Sequence, residues 1–208
     1  AHTGRAASAQ ATGRAVQIVS HVPGVTPYND ARVLTKEDLT ELADCWGRAA
    51  LRARQAGFDS VELHGAHGYL LSQFLSPFTN RRTDEYGGSA ERRMRFPLEV
   101  LRRVREYVGP DFPVGYRLSA EERLEEVGIA NGLKLEDGVA FARRLADEGI
   151  SWIHVSVGLR ETNFMVSPPA CVDKGWISGV ARAVREGVGH RVPIIAVNRI
   201  TDENVAED

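Results

Sequence analysis

The chain alternates short apolar runs with longer segments of helical periodicity. Four runs are rich in β-branched residues, which is typical of buried strands. The predicted strands span residues 60–63, 113–118, 151–157 and 193–197. The surrounding segments repeat apolar positions with a helical period. The predicted helices span residues 35–55, 90–108, 135–148 and 173–186, and a last one begins at 202.

The first predicted helix carries signals at both of its ends. Thr35 suits the N-cap, and Asp38 three residues later can complete a capping box. Gly57 follows the helix, and Gly109 and Gly149 follow the next two, as glycine commonly does at helix ends. The order helix, glycine, strand and loop therefore repeats along the chain. This repetition predicts a parallel sheet covered by helices.

Two architectures fit such a repeat, an open doubly wound sheet and a closed barrel. An open dinucleotide-binding sheet usually carries a GxGxxG turn, and the sequence has none. In each predicted strand one side-chain phase is apolar and suits packing against helices, while the other is mostly polar and favours a barrel whose chemistry lies at the strand ends. That second phase contains Glu62 and His64, Arg117 and Ser119, His154 and Ser156, and Ala196 and Asn198.

We therefore predict an α/β protein of the (β/α)₈ TIM-barrel class, incomplete in this chain because only four of eight strands are visible. The sequence starts at Ala1 and stops within a predicted helix at Asp208, so we expect it to be the central part of a longer polypeptide. No linker or low-complexity stretch interrupts it. We expect residues 1–208 to be part of one barrel domain, without a second domain.

Composition narrows the classes of partner. The 208 residues are 43% hydrophobic and 26% charged, with a formal net charge of −2. The sequence has no excess of basic residues, which nucleic-acid binding usually needs. It also has no apolar run of about 20 residues that could span a membrane. We therefore expect a small-molecule substrate. Cys45 and Cys171 match no metal spacing, which predicts a reduced cytoplasmic setting and no metal site.

The loop after the first predicted strand concentrates candidate chemistry. His64 ends the strand, His67 follows three residues later, and Tyr69 two further on, separated by small residues. Two imidazoles on a tight turn can donate hydrogen bonds to one substrate oxygen, and Tyr69 can deliver a proton as general acid. The alternatives are satisfied, partly buried polar residues or a metal site, although a third ligand is not evident nearby.

Candidate cofactor contacts follow the later strands. Arg117 lies near the end of the second predicted strand, where a fixed cation suits a group that gains negative charge, such as the pyrimidine edge of a reduced flavin. An ion pair with Glu62 is the alternative. Asn198 and Arg199 follow the last strand, in a position where barrels often hold a phosphate.

The sequence around these residues resembles the old yellow enzyme family of NADH:flavin oxidoreductases, which are FMN-dependent ene-reductases. The matching segments are GFDSVELHGAHGYL at 57–70, QFLSP at 73–77 and TNRRTDEYGGS at 79–89. Arg5, together with His2 and Gly4, is similar to the segment after the family's third strand. The resemblance covers essentially the whole chain, from about the end of strand 3 to helix 7 of the barrel.

The resemblance implies an enzyme that uses FMN and NAD(P)H to reduce activated alkenes, such as α,β-unsaturated carbonyl compounds. It implies that His64 and His67 bind the substrate oxygen, that Tyr69 protonates the α-carbon, and that Arg117 contacts the flavin. It also implies that the strands missing from this chain carry part of the cofactor site. We therefore expect the 208 residues alone to bind FMN poorly.

The segment 168–176 and the pair Asn198-Arg199 resemble a larger branch that includes 2,4-dienoyl-CoA reductase, 2-enoate reductase and trimethylamine dehydrogenase. This likeness implies an iron–sulfur cluster outside the chain, beyond Asp208. Arg160 stands where the dienoyl-CoA reductases carry a catalytic histidine, which argues against that particular activity. Amine dehydrogenation or demethylation on the same flavin barrel and a non-catalytic barrel fragment stay open as alternatives. The sequence leaves a homo-oligomer open as well.

Overall fold

The computed structural model describes residues 4–6, 13, 15–24 and 31–207. Four parallel strands form its main sheet in chain order: β3 (Val61–Gly65), β4 (Val114–Ser119), β5 (Trp152–Ser156) and β6 (Ile194–Ala196). Two shorter strands, β1 (Gln17–Ile18) and β2 (Arg32–Val33), form a separate parallel pair. The four predicted strands are thus confirmed, each within a few residues of its expected bounds.

Helices connect and cover the strands of the main sheet. They are α1 (Lys36–Gln55), α2 (Leu70–Leu75), α3 (Ala90–Val108), α4 (Leu135–Asp147), α5 (Asn163–Val166), α6 (Ser178–Gly187) and α7 (Glu203–Glu207), with 3₁₀ turns at Gly4–Ala6 and Leu124–Val127. The sequence predicted one helix over 173–186, but residues 174–177 form turns and the helix starts at Ser178. The short elements α2 and α5 were not predicted.

The first long helix begins as its sequence predicts. The Thr35 side chain accepts a hydrogen bond from the Asp38 amide, and the Asp38 carboxylate accepts one from the Thr35 amide. This reciprocal box satisfies two amide groups that would otherwise lack partners at the helix start. Past the helix end, Gly57 has a φ of +85°, a conformation that suits glycine at a helix stop.

Strand pairing determines which side chains share the face turned away from the helices, here called the lumen face. His64 is paired with Arg117, Arg117 with His154, and His154 with Ile195. Paired residues in a sheet point to the same side. Ile195 rather than Ala196 therefore shares the lumen face, so the predicted phase of the last strand was wrong. The run Ile-Ile-Ala-Val does not alternate polar and apolar residues, which left its phase undefined.

A small residue shapes the lumen face one pair below His64. Gly115 lies between Glu62 and Trp152, and a Cβ on Gly115 would lie 2.0 Å from the Trp152 ring. The indole therefore lies across this glycine, and its Nε1 donates to a Glu62 oxygen at 2.9 Å. The opposite face packs against the helices, around fully buried Tyr116, Leu118 and Ile153.

Candidate active site

The carboxyl ends of β3, β4 and β5 bring polar side chains together. His64 lies one residue before the end of β3, directly across from Arg117 on β4. Ser119 and Ser156, which end β4 and β5, form the next pair on the same face. This edge is where parallel barrels place their chemistry.

A tight turn follows β3 and gathers the three predicted catalytic side chains. His67 and Gly68 both have left-handed backbones, with φ of +60° and +75°. Tyr69 then lies at the N-cap of α2. The His64 ring centroid lies 5.2 Å from that of His67 and 5.0 Å from that of Tyr69. The structure therefore brings His64, His67 and Tyr69 into one cluster.

Gly68 is required by both space and backbone conformation. A Cβ added there would lie 3.2 Å from Leu159 Cβ and 3.5 Å from an Arg5 guanidinium nitrogen. The loop after β5 thus packs directly on the turn. Because a left-handed residue without a side chain is needed at this contact, the small spacer has a structural reason.

Two serine side chains anchor His67. Its backbone N–H donates to Ser119 Oγ at 3.0 Å, and its ring Nε2 lies 2.8 Å from Ser156 Oγ. Burial, followed by the positive charge of Arg117, lowers the pKa of His67 to about 3. His67 is therefore neutral at physiological pH, with one ring nitrogen as donor and the other as acceptor.

Arg117 is half-buried beside this cluster. Its Nε is buried and has no hydrogen-bond partner among the residues that the structure describes. The alternative of an ion pair with Glu62 is not seen in the described part of the chain. Glu62 instead contacts His154 Nδ1 at 3.2 Å and Trp152 Nε1. The guanidinium thus keeps an unmet donor close to the histidines.

The predicted phosphate contacts lie two strands further along the sheet. Asn198 and Arg199 follow β6, both with left-handed backbones, at φ of +77° and +54°. Arg199 Nη1 donates to Pro169 O at 2.8 Å, while its Nε is buried without a partner among the described residues. Asn198 Nδ2 contacts Met165 O at 3.4 Å. Both side chains therefore also hold the loop after β5, and their cofactor role stays a prediction.

A buried ionic network supports the turn from behind. Arg5 donates two hydrogen bonds of 2.6 Å to the Glu161 carboxylate. Burial pulls the pKa of Glu161 upward, but the contact with Arg5 outweighs it and leaves the pKa below its ordinary value. Glu122, only 1% exposed, accepts hydrogen bonds from Ser76 Oγ and the Leu133 amide. His2, which the sequence grouped with Arg5, lies outside the described residues.

Sequence reasoning missed the partners of His67 and the network behind it. Ser119 and Ser156 stood on the polar phase of their strands, so their position was a usable signal. Nothing in the sequence pairs Arg5 with Glu161, 156 residues away. Among the described residues, no group of three or more His, Cys, Asp or Glu side chains could hold a metal ion. The helices within that part of the chain are all too short or too polar to cross a membrane.

Parallel βα units with polar side chains gathered at the strand ends define part of a (β/α)₈-barrel enzyme. The chain belongs to the NADH:flavin oxidoreductase / NADH oxidase family, whose model matches residues 2–208. This result confirms the expected likeness to the old yellow enzyme family and the barrel fold.

Individual relatives agree with the family. An NADH oxidase of Thermoanaerobacter brockii is 44% identical over 176 residues, which are 85% of this chain and 26% of that protein. An NADH:acrylate oxidoreductase of Vibrio harveyi is 36% identical over 214 residues, which cover 100% of this chain and 20% of that protein. The chain thus spans about a quarter or less of these relatives.

A solved structure supports the same architecture. The histamine dehydrogenase of Rhizobium sp. 4-9 superposes with a TM-score of 0.84 at 30% identity, over 98% of this chain and 29% of that one. Its match includes the sheet and helices that carry the candidate active site, so the arrangement of the barrel portion is that of a flavoenzyme barrel.

Proposed function

We propose that the protein is an FMN-dependent oxidoreductase that reduces activated alkenes, such as α,β-unsaturated carbonyl compounds, at the expense of NAD(P)H. The observation that carries this proposal is the cluster of His64, His67 and Tyr69 rings beside Arg117 at the carboxyl ends of the strands. Membership of the flavin oxidoreductase family and the similarity to an NADH:acrylate oxidoreductase support it.

The residues of the cluster divide the work on the substrate. His64 and His67 donate hydrogen bonds to the substrate's carbonyl oxygen, and this polarises the conjugated double bond. Tyr69, on the same turn, delivers a proton to the α-carbon after hydride has reached the β-carbon. Because His67 is neutral, it acts as a hydrogen-bond donor rather than as an acid.

The described residues fit a flavin. FMN, when bound, supplies the hydride that it has accepted from NAD(P)H. Arg117 offers a buried Nε on the lumen face that has no partner in the described part of the chain, which suits the electron-rich edge of the flavin ring. Asn198 and Arg199, with their left-handed backbones after β6, would lie toward the phosphate. All 208 residues would then belong to one FMN-binding domain.

Amine oxidation is the second candidate, because a histamine dehydrogenase shares the fold at 30% identity. The charges around the cluster favour alkene reduction over amine oxidation. Among the described residues near the cluster, the carboxylate of Glu161 is already paired with Arg5, and that of Glu62 contacts Trp152 and His154. Neither is free to bind an ammonium substrate, whereas a neutral alkene needs no such counter-charge.

The test uses the full-length protein and separates the two half-reactions. Tyr69→Phe should slow reoxidation of the reduced flavin by an α,β-unsaturated ketone by about a hundredfold, since the proton donor is lost. Flavin reduction by NAD(P)H should stay near the wild-type rate. Stopped-flow absorbance at the flavin band measures both.

Equal slowing of the two half-reactions would contradict the proton-donor role. A colourless full-length preparation would instead favour a non-catalytic barrel. Turnover of a tertiary amine without any alkene would favour the amine-oxidising alternative.

The proposal also covers the cellular location, a possible further cofactor and the oligomeric state of the protein. Cys45 and Cys171 are both exposed free thiols, which suits a reducing cytoplasm. The absorption spectrum of the full-length protein would also reveal an iron–sulfur cluster outside these 208 residues. Size-exclusion chromatography of the same sample would show whether it forms a homo-oligomer.

A further inference from the structure

We infer that Ser156 is a positioning residue that holds His67 in the tautomer with its proton on Nδ1, so that His67 presents an N–H donor to the substrate oxygen. The inference rests on the proposed function for its consequence in catalysis. The hydrogen-bond geometry around the two side chains carries it independently.

Within the described residues, the Ser156 hydroxyl has one acceptor for its proton. Ser156 is only 1% exposed, and its Oγ lies 2.8 Å from His67 Nε2. Among the described residues, its hydroxyl makes no other hydrogen bond. A buried O–H without an acceptor is costly. The hydroxyl therefore donates to Nε2, which must then be the unprotonated nitrogen of the ring.

Because the His67 ring is neutral, its hydrogen bond with Ser156 determines which ring nitrogen carries the proton. A protonated imidazole would carry hydrogens on both nitrogens and could not accept from Ser156. Burial and the charge of Arg117 keep the pKa of His67 at about 3. With Nε2 as acceptor, the single ring proton lies on Nδ1. The nitrogen facing away from Ser156 is then a donor.

Ser119 makes a useful contrast because it contacts the same residue in a different way. Its hydroxyl donates to Gly158 O at 2.8 Å and accepts from the His67 backbone N–H at 3.0 Å. Ser119 therefore holds the backbone of the turn and leaves the ring alone. The two serines, on adjacent strands and at the same level, fix the backbone and the ring of His67 separately.

The tautomer matters because only one form can polarise a carbonyl. If Nε2 carried the proton, it would donate toward Ser156, and Nδ1 would present a lone pair to the substrate oxygen. That arrangement repels the oxygen instead of stabilising its developing charge. Ser156 thus acts through His67 and does not itself touch the substrate.

The experiment compares the full-length protein with Ser156→Ala, Ser156→Thr and Ser119→Ala, each labelled with ¹⁵N on histidine. His67→Gln identifies the His67 signals. In the wild type and in Ser156→Thr, the ¹⁵N shifts should show Nδ1 protonated and Nε2 free. Ser156→Ala should move a large share of His67 to the Nε2–H form, while Ser119→Ala should keep the Nδ1–H form.

The kinetic readout follows the same logic. Ser156→Ala should slow reoxidation by an α,β-unsaturated ketone by roughly tenfold to a hundredfold, with flavin reduction by NAD(P)H unchanged. Ser156→Thr should restore most of the rate. An Nε2–H form in the wild type, or an unchanged Nδ1–H form in Ser156→Ala, would overturn the inference.

Failure of the proposed function gives a different pattern. A wild-type protein that reduces no alkene but still shows the Ser156-dependent Nδ1–H form would remove the proposed reaction and keep the assignment of the tautomer. Unequal flavin content among the variants would show a folding defect, which Ser156→Thr controls because it keeps the hydroxyl.

Discussion

Glu122 is the carboxylate most strongly affected by burial behind the candidate active site. Burial raises its pKa to about 7, against the hydrogen bonds that Ser76 and Leu133 donate to it. The folded protein therefore holds this proton more tightly than the unfolded chain, whose carboxyl group titrates near 4.5. The resulting stabilisation is complete below about pH 4.5 and is lost as the pH rises through 7.

Glu122→Gln should therefore flatten the dependence of stability on pH. Between pH 4.5 and 8, titration of Glu122 should lower the free energy of unfolding of the wild type by on the order of 2 to 3 kcal/mol. The variant should lack this contribution to the pH dependence. Urea unfolding of the full-length protein at several pH values measures the difference. Glu136→Gln, at an exposed position on α4, is the control and should keep the wild-type pH dependence.

Among single residues, the sequence grouped His64, His67 and Tyr69 correctly, but it did not identify the side chains that support them. His64, His67 and Tyr69 lie within six residues, so a local motif was enough to group them. The bond between His67 and Ser156 spans 89 residues and depends on which strands are neighbours. Periodicity gives the phase of a strand, but it does not give the partner of a side chain.

The packing of α1 on α3 offers a test of helix contacts. A Cβ on Gly47 would lie 2.3 Å from the Tyr107 ring, so Gly47→Ala should lower stability by about 1 to 3 kcal/mol despite the better helix propensity of alanine. Gly179 on α6 has open space around its Cβ position. Gly179→Ala should raise stability by about 0.5 to 1 kcal/mol.

Thermal unfolding of the two full-length variants beside the wild type provides the measurement. Helix propensity alone predicts that both Gly47→Ala and Gly179→Ala stabilise the protein. The expected opposite changes in stability therefore test the contact between Gly47 and Tyr107. If Gly47→Ala also raised the melting temperature, α1 and α3 would not be in the close contact that the structure gives them.

Elements were predictable where the pattern was long and bounded. The helix from Lys36 to Gln55 has a capping box and a terminal glycine, and both its ends were located. The helix Leu70–Leu75 has only six residues, too few to show a helical period, and all of them are buried, including the polar Ser72 and Gln73. The strand at Ile194–Ala196 was found, but its uniform apolar run hid which residues face the lumen.

On the scale of the whole molecule, one ion pair ties the start of the chain to the loop after β5. Arg5 and Glu161 are 5% and 16% exposed and are separated by 156 residues. Arg5 also lies beside Gly68, so this contact joins the turn that carries the candidate active-site cluster to a distant loop. A contact of this kind depends on the completed fold, which explains why no local sequence signal pointed to it.

Arg5→Ala should lower the free energy of unfolding by about 3 kcal/mol, because it leaves the Glu161 carboxylate partly buried without its partner. The double variant Arg5→Ala/Glu161→Ala should recover a large part of that loss, since the unpaired charge is then gone. Urea unfolding of the full-length single and double variants completes a double-mutant cycle, which isolates the coupling between the two side chains.

The pair Arg32 and Asp38 supplies a matched control for this cycle. It has the same two-bond geometry, but its residues are six apart, and the arginine side chain is 46% exposed. Solvent screens an exposed pair, and a local pair does not depend on distant packing. Its coupling should therefore be clearly smaller than that of Arg5 and Glu161. Equal couplings in the two cycles would mean that burial between distant segments adds nothing to the ion pair.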